Sequence, residues 1–332
     1  MPETRSTAAI AARRASTPHE PSVSTTTSRA ASNGPTPSTP SHRQNGHATR
    51  RPPREDDSDD SPIDDRTAAA SSTYVSPRYS HSGPCSLTSI ATQAAGLGVL
   101  LGVASLYTIQ CIVSSCASST SWRLPAFLSI CALFHFLEFY ATARWNSGMA
   151  DRNSFLIVGN GIAQPCAYAV AMGEFVLREI LFKGRSWVDS TRSLEWAGGL
   201  FGLPRGGTRL LMLVSGLVLI VIGQVARSMA MREAGASFNH LVQFYKREDH
   251  VLVTIGIYRY IRHPSYFGFF YWALGTQLLL ENPFSFIAYA LVLWKFFSHR
   301  VRHEEKYLIS FFGDEYKKYR TVTPTWIPFV GQ

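Results

Sequence analysis

Charge is scarce in this chain of 332 residues: only 17% are Asp, Glu, Lys or Arg, against 45% hydrophobic. The net charge of +9 comes from Lys and Arg scattered through a tail and through loops, with no stripe to grip a phosphate backbone, so a nucleic-acid partner is excluded. Cysteine is sparse too. Cys85, Cys111, Cys116, Cys131 and Cys166 form no C-x-x-C pair, and four of the five lie in or beside apolar runs. That excludes a zinc site and a disulfide framework and leaves small apolar side chains in a helical bundle. The first residues lack the apolar stretch of a signal peptide, and Pro2 stands where N-myristoylation needs glycine. The final Phe-Val-Gly-Gln has no prenylation cysteine. Targeting is therefore expected from the first membrane span.

The two ends of the chain differ in kind. Residues 1–82 are Ser, Thr, Pro, Ala, Arg and Asp, too poor in large aliphatic side chains to offset their ordering entropy, and are expected to be a disordered tail. Its acidic run Glu55 to Asp60, preceded by Arg50, Arg51 and Arg54, fits a solvated segment. Residues 83–231 hold four long apolar runs, about Leu87 to Val113, Leu124 to Ala143, Phe155 to Leu181 and Leu210 to Met231. Each covers roughly 30 Å or more as a helix, enough to cross a bilayer core. Glu138, Glu174 and Gln224 interrupt them. A carboxylate facing lipid costs about 2.5–3.5 kcal/mol, so Glu138 and Glu174 belong in the bundle interior or near an interface. Pro165 is expected to kink the third run.

Residues 232–332 have a different texture and are expected to form the catalytic region. The segment Arg232 to Arg262 is polar and mixed, with a short β-favouring stretch Val251 to Ile255 closed by Gly256, and suits a pocket wall at the membrane surface. Two short apolar arms follow, Tyr266 to Leu280 and Phe284 to Phe297, separated by Glu281-Asn282-Pro283. Asn-Pro is a strong turn signal, so the arms should form an antiparallel helical hairpin. His263 lies twenty positions before Pro283 and Glu304 twenty-one after it. As helices, both arms place these residues roughly 30 Å from the tip, level at one membrane face. Arg300 shares a helix face with Glu304 and lies roughly 6 Å nearer the tip. The layering suits a polar cofactor above and an anionic head group of a lipid-anchored substrate below. Taken singly, each piece has a plainer reading: Glu304 and Glu305 as a solvated face, Arg300 as a snorkelling cation, Tyr266 and the Phe residues after it as packing.

The segment Gly256 to Gly268, containing Arg262-His263-Pro264-Ser265-Tyr266, resembles the signature of isoprenylcysteine carboxyl methyltransferases. So do Gly275-Thr276-Gln277, the Asn282-Pro283 turn, Glu304-Glu305, Phe312 to Tyr316 with Tyr319, and the upstream Phe238 to Gln243. The resemblance runs closely over about Ala236 to Pro328, loosely over the earlier spans, and not over the tail. It implies an all-α polytopic bundle of about six spans, the last two the hairpin, with a cytosolic C-terminal cofactor pocket. It also implies S-adenosylmethionine as cofactor, held by Gln243, His250, Val251, Leu252, Val253, Tyr258, His263, Pro264, Ser265, Tyr266 and Glu304. The residue against the substrate is Arg300, as catalytic and substrate-binding group. The implied partners are the prenylated C-terminal cysteine of CaaX proteins and the lipid bilayer, in the endoplasmic reticulum membrane; no pattern sets an oligomeric state. The inventory agrees with carboxyl methylation, because an α-carboxylate is ionised well below neutral pH and needs no general base. Three alternatives stay open at this stage: a membrane sterol reductase or a phospholipid methyltransferase sharing such a pocket, or a non-catalytic membrane scaffold. One feature fits poorly. Lys183, Arg185, Arg192, Arg205 and Arg209 cluster around a loop that a six-span arrangement puts on the lumenal side, against the positive-inside tendency.

Overall fold

The computed structural model describes residues 77–80, 82–114, 120–158, 161–183, 185, 186, 188, 207–240, 245, 246 and 250–331. The expected tail up to residue 76, Gln243, and most of the arginine-bearing loop lie outside the described residues. Six α-helices are present among them: α1 (Leu87–Val113), α2 (Arg123–Trp145), α3 (Ala163–Phe182), α4 (Gly207–Ala234), α5 (Pro264–Leu280) and α6 (Pro283–Val322). No strand occurs among the described residues, so Val251 to Thr254 is irregular wall rather than sheet. Three helical segments, Leu87–Val113, Arg123–Trp145 and Gly207–Ser237, are long and apolar enough to cross a membrane. Their outer faces agree: α1 buries only Leu97, Ala104 and Cys111, while Val99, Val103 and Leu106 stand exposed. Apolar surface on that scale is stable only against lipid.

The third apolar run is not one kinked span. Asp151 caps a short 3-10 turn over Arg152–Phe155, Leu156 takes a left-handed φ of 57°, and α3 begins only at Ala163. Pro165 therefore sits in the first turn of a helix, where its missing N–H has no intrahelical partner to lose. It starts the helix and does not bend it.

Helix α5 lies against α4 at backbone distance. A Cβ on Gly223 would come 2.5 Å from the Gly268 carbonyl, and one on Gly275 would come 2.7 Å from that of Gly216. Both pairs repeat after seven residues, two helical turns, so the small residues form one seam along each helix. This seam carries α5 into the centre of the bundle, where Trp272, Ala273 and Leu279 join Phe127, Phe134, Phe175 and Ile220 in the main apolar core.

Glu281 and Asn282 alone connect α5 to α6, and the two helix ends they join receive opposite charges. The Glu281 carboxylate, 0% exposed, meets Arg123 at 2.5 Å, Arg209 at 3.2 Å and the Ser186 hydroxyl at 2.6 Å. Arg123 also donates to the Leu279 carbonyl, and Arg178 donates to the Leu280 carbonyl at 2.5 Å. Cations thus gather where α5 ends and its carbonyls lack partners. At the start of α6 the Glu174 carboxylate accepts from the Phe284 and Ser285 amides at 3.0 and 2.6 Å. So Glu138 is buried and Glu174 caps a helix, each with a polar partner as the cost of lipid exposure requires. Arg209, one of the cations that fitted the positive-inside tendency poorly, is a partner of Glu281. Helix α6 then runs to a break at Gly313 (φ 57°, ψ −128°), after which its last turns and residues 323–331 fold back toward α5.

Removing the Glu281 side chain leaves the buried Arg123 without its counter-ion and the partly exposed Arg209 without a partner there, at a cost of about 3–5 kcal/mol. Glu281→Ala should lower the melting temperature in detergent well below that of the parent. An unchanged melting temperature would show that the helix-end carbonyls suffice.

Candidate active site

A cavity of about 680 Å³ opens between α3, α5, α6 and the segment before α5. It has two parts of different chemistry. The polar part is walled by Ser237 to His240, by His250 to Val253, by Tyr258 and Arg262 to Tyr266, and on α6 by Glu304, Leu308 and Phe312. The apolar part lies between the first turns of α3 (Ala163 to Val170) and residues Ala288 to Phe297 of α6, floored by Phe269, Trp272 and Ala273 of α5. Its α6 lining runs from Ala288 to Phe297, about 14 Å of helix.

Arg300 stands where the two parts meet. Its Nε donates to the Tyr266 hydroxyl at 2.8 Å, and its Nη2 donates to the His240 carbonyl. The guanidinium lies 5.3 Å from the Tyr266 ring centre and 5.8 Å from that of Phe296, so aromatic faces hold it as well. The Tyr266 hydroxyl donates a hydrogen bond to Glu304, giving a chain from Arg300 through Tyr266 to Glu304. These three residues are 34 and 38 positions apart and meet because α5 and α6 run back along each other.

The neighbouring acid does something else. Glu305 is 4% exposed; its carboxylate takes Arg262 Nε at 2.7 Å and lies 3.3 Å from His263 Nε2. Burial pushes the Glu305 carboxyl upward, but the His263 hydrogen bond and the charge of Arg262 outweigh it and hold the group below its ordinary value. Arg262 also donates to the carbonyls of Arg320, Thr323 and Gly331, pinning the C-terminal strap under the pocket. His263 thus presents a ring face to the cavity, stacked on Tyr266 at 5.4 Å and 7°, while its nitrogen is engaged with Glu305 and not with Glu304. Tyr258 is set by Tyr319, whose hydroxyl donates to the Tyr258 carbonyl at 2.6 Å; burial raises both phenols, which stay neutral.

All the expected cofactor residues among the described ones line this single cavity: His250, Val251, Leu252, Val253, Tyr258, His263, Pro264, Ser265, Tyr266 and Glu304, with Arg300 beside them. Gln243 lies outside the described residues. Sequence reasoning missed Arg227, which also reaches the cavity wall and pairs with Glu138. A cation inside the run Leu210 to Met231 was the available signal, since charges at membrane depth are costly and mark functional groups. It missed the buried roles of Arg262 and Glu305 too. His240, whose carbonyl holds Arg300, is pushed down to about 4 by burial, with Arg227 and Arg300 adding and Glu138 opposing, so its ring is neutral at physiological pH.

The comparisons with known proteins agree with this geometry. The family model for isoprenylcysteine carboxyl methyltransferases matches residues 216–310, from the α4 glycine seam to α6. A protein-S-isoprenylcysteine O-methyltransferase of Schizosaccharomyces pombe is 44% identical over 209 residues, covering 63% of this chain and 85% of that protein. The Homo sapiens enzyme of the same name is 34% identical over 258 residues, 77% of each chain. Among solved structures, a eukaryotic intramembrane Ras methyltransferase, isoprenylcysteine carboxyl methyltransferase, superposes with a TM-score of 0.59 at 34% identity, covering 73% of this chain and 77% of that one. With a wall, a cavity and relatives that agree, this chain belongs to the isoprenylcysteine carboxyl methyltransferase family.

Proposed function

We infer that this protein esterifies the C-terminal carboxylate of a prenylated cysteine, taking the methyl group from S-adenosylmethionine. The observation that carries the reading is the position of Arg300 at the junction of a polar chamber and an apolar channel in one continuous cavity. A substrate with a carboxylate on one end and a long hydrocarbon on the other fits that junction and no simpler site. The family membership also sets aside the reductase and scaffold alternatives. A phospholipid amine acceptor is disfavoured by the residue itself, since a cation at the junction repels an amine and orients a carboxylate.

The polar chamber fits the donor. It offers a carboxylate, Glu304, and the rings of Tyr258, Tyr266 and Phe312 to a sulfonium cation, and irregular backbone at 250–254 joined to no strand among the described residues. When bound, S-adenosylmethionine supplies an electrophilic methyl on positively charged sulfur. The chain's residues then bind and orient. Arg300 aims the acceptor carboxylate by hydrogen bonds, Tyr266 keeps the guanidinium from swinging, and Glu304 fixes the Tyr266 hydroxyl. No residue removes a proton, because the acceptor is already an anion at neutral pH. Alignment is the main contribution, and positioning two reactants supplies up to about 7–11 kcal/mol. The apolar channel between α3 and α6 takes the prenyl chain from the bilayer side. In this reading the chamber faces the cytosol, in an endoplasmic-reticulum membrane crossed about six times with the α5–α6 hairpin as the last two spans. Gln243 belongs to the donor site, and residues 232–332 are the catalytic region behind a transmembrane part and a tail.

Arg300→Glu should reduce methylation of N-acetyl farnesylcysteine by at least about a hundredfold, as expected for reversing a partly buried charge contact. Label from the methyl donor should reach the free acid and not the carboxyl-amidated compound; activity retained by the variant removes Arg300 from the role. Glu304→Gln should raise the donor KM about tenfold through loss of one charge-assisted contact, while Tyr266→Phe should mainly lower kcat. The opposite split would reverse the two roles. Between about pH 6 and 8, kcat should be level, since the acceptor ionises below about pH 4 and His240 stays neutral. A rising limb in that window would reveal a general base.

A further inference from the structure

One buried carboxylate lies between the start of α5 and the segment that holds Arg300. Glu138, in the middle of α2 and 1% exposed, receives Arg227 of α4, itself 6% exposed, through Nε and through Nη2 at 2.7 Å. The remaining Nη1 of Arg227 donates to the Ser265 hydroxyl at 2.8 Å and to the Ser265 carbonyl at 3.3 Å, at the start of α5. On its other side, the Glu138 carboxylate has His240 Nδ1 at 3.9 Å, with Thr142 Oγ1 3.3 Å from Nε2 of the same ring. The His240 carbonyl is the acceptor for Arg300 Nη2. Hydrogen bonds therefore run from Ser265 through Arg227 to Glu138, while the neutral His240 ring packs beside that carboxylate, is held to α2 through Thr142, and offers its carbonyl to Arg300.

We infer that Glu138 and Arg227 are a positioning pair for methyl transfer, setting the distance between the methyl and the carboxylate by tying Ser265 to an anchor packed against His240, whose carbonyl holds Arg300. This rests on the assignment of the chamber wall to the donor and of Arg300 to the acceptor. Helix cohesion alone would be served by any neutral pairing between α2 and α4. What is built instead is a rigid fork with each outward nitrogen used: two on the carboxylate and one on the wall residue. The guanidinium also lies 5.6 Å from the ring centres of both Phe134 and Phe269, which block its rotation. Separating the pair in a low-dielectric interior leaves an uncompensated charge, so the anchor stays closed while the reactants come and go. The precision matters for an alignment-driven reaction, where a misplacement of about 1 Å costs about a hundredfold in rate.

The test uses the full-length protein in detergent or lipid nanodiscs, with kcat, both KM values, donor affinity by calorimetry and melting temperature read for each variant. Glu138→Gln and Arg227→Lys should each lower kcat about 10- to 100-fold with both KM values within about threefold, the pattern of lost alignment and not of lost binding. Ser265→Ala should lower kcat about three- to tenfold at an unchanged melting temperature, and its effect should be less than additive with that of Glu138→Gln because both act through Arg227. Three results would overturn the inference. One is kcat within about twofold of the parent for the folded variants, which would make the pair a helix fastener only. Another is a raised acceptor KM at constant kcat in Arg227→Lys alone, which would place Arg227 on the substrate. The third is full additivity. If Glu138→Gln does not fold, Ser265→Ala decides by itself, and an unchanged kcat there rejects the pair's role. Failure of the unmodified protein to methylate a prenylcysteine would instead reject the activity on which the inference rests, and that outcome is told apart because it precedes any variant.

Discussion

The backbone-to-backbone crossing of α4 and α5 is the constraint on which the rest depends. With side chains larger than hydrogen at Gly223 and Gly268 the helices could not approach as they do, since a Cβ on Gly268 would sit 2.9 Å from the Arg227 nitrogen. That approach places the root of Arg227 directly behind the first turn of α5, within reach of Ser265. It also carries Trp272 and Ala273 into the core, where together with Phe269 they form the cavity floor. A seam of four glycines thus fixes the position of a wall made largely of other residues. Such a seam works best in a membrane protein, where packing of small residues supplies the association that water would otherwise drive.

The second constraint is charge placement at the two ends of α5. At the turn into α6, Arg123, Arg178 and Arg209 converge on Glu281 and on helix-end carbonyls. At the other end, Arg262 binds Glu305 and three carbonyls of the C-terminal strap. Both clusters are buried, and both join elements far apart in sequence. The result is a hairpin clamped at its tip and at its open end, with the reacting groups between the clamps. An apolar middle can then stay open to a hydrocarbon chain without loosening the frame.

Much of this was legible in the sequence. The apolar runs marked α1, α2 and α4 because a helix needs only length and composition to cross a bilayer. The Asn282-Pro283 turn marked the reversal because Pro fits the first turn of α6 and nowhere deeper. Counting from that turn put His263, Arg300 and Glu304 at one end of the hairpin, a calculation that works only because both arms are straight, whereas Tyr266 entered the site through the resemblance alone. What counting could not show is which neighbour faces inward: Glu304 and Glu305 differ by one position, yet one lines the cavity and the other is sealed under it. Nor could it pair Glu138 with Arg227, 89 residues away, since periodicity describes one helix at a time. The glycine seam was visible as letters at a spacing of seven, but its meaning required the partner helix. Pro165 failed for a different reason: the run around it was continuous in composition, while the chain inside it was broken by a capped 3-10 turn.

In the proposed reaction, the arrangement around Arg300 would answer a difficulty that any carboxylate nucleophile raises. A guanidinium that bound both carboxylate oxygens with full strength would orient them and also withdraw the electron density needed for attack. Here two of the Arg300 donors are already committed, Nε to the Tyr266 hydroxyl and Nη2 to the His240 carbonyl. In that proposal only part of the fork would be left for the substrate, with Glu304 offsetting some of its charge through Tyr266. The same partners that dilute the cation fix its direction, so orientation is retained while ground-state binding is limited. Because the charges of carboxylate and sulfonium cancel as the methyl moves, a fully exposed cation would favour the separated ions over the transition state. A restrained arginine favours the transition state by comparison, which is the sense in which only differential binding accelerates a reaction.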